Sequence, residues 1–148
     1  MYTFWKRTSP PPTMTAFDAP DRETCQVRRG RTNTPLQALV LMNDVQFIEA
    51  ARKFAERVVS NGGSGVEQRI TFAFRTVLAR RPTSSEMGTL ARLFRDYQAE
   101  FKAAPGSAAK LLAAGEFPRN ESLDVNELGA WTMIVHLLLN LSETVTRG

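Results

Sequence analysis

Residues 66–79, VEQRITFAFRTVLA, decide the fold class. Val66, Ile70, Ala73, Phe74, Val77 and Leu78 recur at the three- and four-residue spacing of a helix and form one apolar stripe, with Glu67, Arg69 and Arg75 off it. The flanks repeat the pattern. Upstream, the run Asn61-Gly62-Gly63-Ser64-Gly65 breaks the chain, and before it Phe47, Ile48, Ala51, Phe54, Ala55 and Val58 make a second stripe that Asp44 can cap. Earlier still, Thr34 can cap and Pro35 can open a helix through Leu36, Leu39, Val40 and Leu41, interrupted at Asn43-Asp44. Downstream, Pro82 stops the 66–79 helix. Thr83-Ser84-Ser85-Glu86 is a capping box that opens a helix with Met87, Leu90, Phe94, Tyr97 and Phe101 on one face. Pro105 and Gly106 close that element, a short run of alanines and leucines leads to Gly115, and 117–123 reads as a loop. The last helix spans about Asp124 to Thr144 and is apolar nearly all round from Ala130 to Leu141, as a central buried helix is.

No stretch alternates with a period of two for long enough to propose a sheet, so the expected class is all-α. An irregular Pro-rich segment over 1–34 precedes about five to six helices over 35–148, packed as an orthogonal or bundle-like array in a single domain, 1–148. The irregular segment contains Pro10-Pro11-Pro12, which favours polyproline II, and a heavy aromatic load in Tyr2, Phe4, Trp5 and Phe17. These aromatics are expected to pack against something or to promote self-association.

Composition narrows the function. A chain of 148 residues, 43% hydrophobic, can bury a sizeable core and is not a disordered polymer. The single Cys excludes an internal disulfide and any Cys-rich metal site. The longest strongly apolar run, 130–141, is shorter than the roughly 20 residues a bilayer span needs. No signal peptide is visible at the start. The formal charge is +4, but the basic excess is spread thinly and residues 120–148 are net acidic, so a solvated basic face is expected and nucleic acid is not the favoured partner.

Cys25 and His136 are the only residues of their kinds, and nothing in the pattern makes them a nucleophile–base pair. Cys25 is expected to be a structural thiol and His136 a hydrogen-bonded core residue. One Cys and one His cannot fill a tetrahedral site, and no metal or cofactor is expected in this chain. The most unusual stretch is Arg28-Arg29-Gly30-Arg31-Thr32-Asn33-Thr34-Pro35-Leu36-Gln37, where three arginines meet a helix start whose amides and dipole attract anions. It reads either as a seat for a carboxylate, sulfate or phosphate group, or as polar groups that tie an irregular segment to the helix end. Arginine forks serve both purposes, and the structural use is the preferred reading. The candidate binding residues are Trp5, Lys6, Arg7, Arg28, Arg29, Arg31, Thr32, Asn33 and Gln37. No catalytic constellation is visible.

These residues also carry a resemblance. YTFWKRTSPPPTMTAFDAPDRETCQVRRGRTNTPLQ (2–37), LVLMNDVQFIEAARKFAERV (39–58), RITFAFRTVLARRPTSSEM (69–87) and LGAWTMIVHLLLNLSETVTRG (128–148) resemble the domain-of-unknown-function family numbered 1553, also called the planctomycete cytochrome-associated domain. The FWKRTSPPP and RRGRTNTPLQAL motifs are its most specific parts. The chain departs from the family pattern at Gln26, Val45 and Ser142. The resemblance implies the C-terminal part of a larger domain within an exported or cell-envelope multidomain protein. Its partners would be upstream modules of the same polypeptide, and haem would belong to those modules only. The resemblance carries no catalytic residues.

The expected role is therefore a structural or binding module, with an anionic ligand or glycan as the candidate partner of the arginine-rich segment. Two alternatives stay open. The segment could belong to an active site on anionic polysaccharide completed by upstream residues, or the chain could be a free basic helical protein that binds nucleic acid.

Overall fold

The computed structural model describes residues 9–20, 25, 27, 30, 32 and 34–145. The described residues are helical with no strand, in agreement with the all-α expectation. They fall into two compact units, 1–43 and 44–148.

In the first unit, α1 spans Pro12–Ala16 and α2 spans Pro35–Asn43, and the two are in contact. The short α1 lies where the proline run predicts polyproline II. Pro12 takes the first helical position, where a missing N–H costs nothing and φ is already helical, and Pro11 stays outside as the cap. The Pro11 carbonyl then accepts from Met14 N at 3.0 Å and from Thr15 Oγ1 at 3.1 Å. The 1–34 segment is thus not irregular throughout.

The second unit contains α3 (Val45–Asn61), α4 (Val66–Leu78), α5 (Ser84–Ala103), α6 (Ser107–Leu112), α7 (Val125–Leu139) and α8 (Ser142–Val145). Its caps follow the expected chemistry. Asp44 accepts from Gln46 N at 2.9 Å, and Asp124 accepts from Glu127 N at 2.8 Å. Thr83 and Glu86 close a reciprocal box, with Glu86 N donating to Thr83 Oγ1 at 3.3 Å and Thr83 N to Glu86 Oε2 at 2.7 Å. The helix α4 ends without glycine: Ala79 adopts a left-handed conformation, φ 57°, and returns its N–H to Arg75 O.

The apolar helix α7 is the hub, touching α3, α4, α5, α6 and α8. Leu128, Ala130, Trp131, Ile134, Val135 and Leu138 are buried on it, and Trp131 meets Phe94 of α5 with ring centroids 4.4 Å apart. Gly129 lets α7 approach closely, since a Cβ there would lie 3.1 Å from Ala108 and 3.2 Å from the Phe101 ring. The single last helix expected over 124–144 is two: Asn140 caps α7, its Nδ2 donating to His136 O at 2.7 Å, and the chain turns before α8. The described residues hold eight helices, two of them single-turn elements beyond the five to six expected.

The loop after α6 is clasped by α3. Glu49 accepts from Phe117 N at 2.7 Å, Arg52 donates to Phe117 O at 2.6 Å, Lys53 donates to Pro118 O at 2.7 Å, and Glu56 accepts from Asn120 N at 3.1 Å. Gly115, with φ 98°, faces the Glu49 carboxylate so closely that a side chain there would collide with it. Arg52 is 1% exposed and pairs with Glu49 at 3.1 Å, which keeps this buried charge compensated. No helix among the described residues is long and apolar enough to cross a membrane.

Candidate functional site

The start of α2 carries the arginine-rich segment, and its geometry begins with a threonine and a glutamine three residues apart. Thr34 Oγ1 accepts from Gln37 N at 3.3 Å, while Gln37 Oε1 accepts from Thr34 N at 3.2 Å. This is a capping box with glutamine at the third helical position, and it satisfies two donors that the helix start would otherwise leave open. It leaves the Gln37 amide nitrogen free to turn outward from the helix end.

That nitrogen donates to Thr32 Oγ1 at 3.0 Å and reaches Asp18 Oδ2 at 3.5 Å. Asp18 follows α1 in a left-handed turn, φ 56°, a conformation that aspartate tolerates better than most residues. Its carboxylate accepts from Thr32 N at 2.7 Å and from Thr32 Oγ1 at 2.8 Å. The Thr32 hydroxyl thus donates to the carboxylate and accepts from the glutamine. These bonds, led by the Thr32 backbone N–H, hold the Asp18 pKa below its ordinary value. Gln37 is the one buried residue of α2, at 4% exposure, while Thr32 is exposed.

Of the nine candidate binding residues, the structure describes two, Thr32 and Gln37, and brings them together. Trp5, Lys6, Arg7, Arg28, Arg29, Arg31 and Asn33 lie outside the described residues, as do Tyr2 and Phe4. Asp18 is the member the sequence reading missed. It sits fourteen positions before Thr32, and no spacing rule links a turn aspartate to a threonine that far along. The Thr34/Gln37 box was open to discovery, because Thr-x-x-Gln before an apolar run is a helix-start pattern. Cys25 is a free cysteine, exposed among the described residues. His136 is half-buried on α7.

The second unit pairs several of its charges internally. Arg80 donates to Glu86 Oε1 at 2.8 Å and to Glu143 Oε2 at 2.8 Å, and its guanidinium lies 4.7 Å from the Phe74 ring centroid. These bonds hold Glu86 down at about 2 and Glu143 below the usual carboxylate range, and they raise Arg80. Arg69 pairs with Glu127 and donates to Gly63 O at 2.9 Å. Among the described residues, no three His, Cys, Asp or Glu side chains gather as a metal site.

Residues 1–94 match the model of the family described as PSD1, protein of unknown function (DUF1553). No curated protein and no solved structure matches the chain.

Proposed function

The chain belongs to the PSD1 family of unknown function (DUF1553), and from that premise we propose that it is a structural or binding module of an exported multidomain protein, with an anion site in its arginine-rich segment. The observation that supports this reading is the polar knot of Asp18, Thr32 and Gln37. It anchors residue 32 to the turn after α1 on one side and to the start of α2 on the other. In the sequence Arg31 is one peptide bond from that anchor, and Arg28 and Arg29 precede it by a few residues.

Asp18 is already engaged by Thr32 and Gln37, and residues 1–43 hold six Lys and Arg against three Asp and Glu. The surplus of guanidinium forks suits the planar carboxylate or tetrahedral sulfate groups of an acidic glycan. In this reading the arginines contact the ligand, Trp5 offers a stacking face, and Lys6 and Arg7 add charge. Thr32 and Gln37 are positioning residues, and Asn33 lies between them in sequence. The chemistry of the whole protein, including any haem, belongs to upstream modules.

The test is calorimetric titration of the chain with an oligogalacturonate at low ionic strength. The proposal expects saturable binding without cleavage, and a loss of at least tenfold in affinity for Arg31→Glu with the helical signal intact. A folded Arg31→Glu chain that binds unchanged, or hydrolysis of the oligosaccharide by the native chain, contradicts it.

A further inference from the structure

A groove of about 450 Å³ opens on the second unit, well away in sequence from the arginine-rich segment. Its floor is one face of α3. Ala50, Lys53, Phe54 and Arg57 follow the three- and four-residue spacing that places side chains in a row. Val77 of α4 and Leu139 of α7 line it as well. Its volume falls in the range of roughly 300–1,000 Å³ typical of small-ligand sites, and its lining surface is mainly apolar, although Lys53, Arg57, Thr76 and Thr144 also contribute to it.

The polar groups differ in how far they are committed. Thr76 Oγ1 donates to Phe72 O at 2.8 Å, and Thr144 Oγ1 donates to Leu138 O at 2.7 Å, so both hydroxyl protons are spent on the backbone. Lys53 is paired with Glu56 at 3.2 Å and donates to Pro118 O. Arg57 is exposed and has no carboxylate within ion-pair distance among the described residues. Its guanidinium lies 5.9 Å from the Phe54 ring centroid, an arrangement that stiffens the side chain at the groove rim. Among the described residues, no acidic side chain lines the groove. It therefore presents two cations, one of them uncommitted, beside an apolar slot.

We propose that this groove binds a free medium-chain aliphatic carboxylate, its headgroup on Arg57 and its tail along Phe54 toward Val77 and Leu139. The apolar walls select a tail, the unpaired guanidinium selects an anion, and the absence of a lining carboxylate removes the group that would repel it. This proposal does not depend on the proposed anion site.

The experiment titrates the chain with hexanoate, octanoate and decanoate, each below its micellar concentration, and with decanol as the uncharged control. Affinity is expected to rise about fourfold per added methylene, the increment of burying one CH₂. Decanol is expected to bind at least tenfold more weakly than decanoate. Arg57→Glu should lower decanoate affinity tenfold or more, while Arg57→Lys, which keeps the charge but loses the fork and the stacking, should fall between Arg57→Glu and the native chain. Ala50→Trp, at an exposed position, should fill the slot and abolish binding with the fold intact by circular dichroism. The proposal is overturned by no saturable binding of decanoate, by equal affinity for decanol, or by an unchanged Arg57→Glu chain. It is equally overturned if the chain binds anionic vesicles but not monomeric decanoate.

Discussion

Asp18 shows how much a single carboxylate can organise. Its folded pKa lies below the unfolded value because Thr32 donates both an N–H and an O–H to the charged form. A depressed folded pKa adds stability above the unfolded pKa, and this is lost as pH falls through the folded one. The Thr32 amide resonance should therefore report a titration with its midpoint below the ordinary aspartate value, and Asp18→Asn should remove that transition. An Asp18 midpoint at the ordinary value would show that the knot is not formed in solution. Ala79 makes the opposite kind of statement, since it holds a left-handed conformation that costs an L-residue roughly 1 kcal/mol. Ala79→Gly should raise stability by about 0.5–1 kcal/mol in urea unfolding, against the usual penalty for glycine.

At the scale of elements, four helix starts are closed by their own side chains, at Thr34, Asp44, Thr83 and Asp124. The start of α5 matters most, because Glu86 serves the capping box and the Arg80 network at once. Its pKa is held at about 2 against an ordinary 4.5, chiefly by Arg80 and then by Thr83 N–H. Glu86 thus contributes stability above pH 4.5 that disappears as pH falls toward 2, and Glu143 acts in the same direction. The thermal midpoint should decline through that window, and Glu86→Gln should flatten the decline. An equally steep acid profile in the variant would place the acid lability elsewhere. The elements legible beforehand were α2 to α5: a cap before an apolar run marked α2, α3 and α5, and the stripe alone marked α4. By contrast, α1 was hidden because a proline run reads as extended chain although its last member suits a first helical turn. The break between α7 and α8 was hidden because a segment apolar all round has no periodicity to lose. The end of α4 was placed within a residue although no glycine marks it.

The second unit is built around α7, and its energetics follow from that. Trp131 is fully buried against Phe94, so Trp131→Ala should cost about 3–5 kcal/mol and abolish much of the cooperativity of unfolding. Trp131→Phe should cost well under half of that, because it keeps a ring and removes an indole N–H that has no protein partner among the described residues. The first unit is organised differently, by polar bonds at a helix start. Its helix α2 also leaves Leu36, Leu39 and Met42 more than half exposed. Of the candidate site, Thr32 and Gln37 could be nominated from sequence because they adjoin the arginines. The acid that joins them could not, because it is brought near only by the turn after α1. The proposal for this unit is that Asp18, Thr32 and Gln37 support an anion site in the arginine-rich segment. Its most direct test is a two-dimensional amide NMR titration of the chain with oligogalacturonate. The account predicts shifts concentrated in residues 28–37, with the Thr32 amide and the Gln37 side-chain amide moving together; shifts confined to 44–145, or none at saturating ligand, would contradict it.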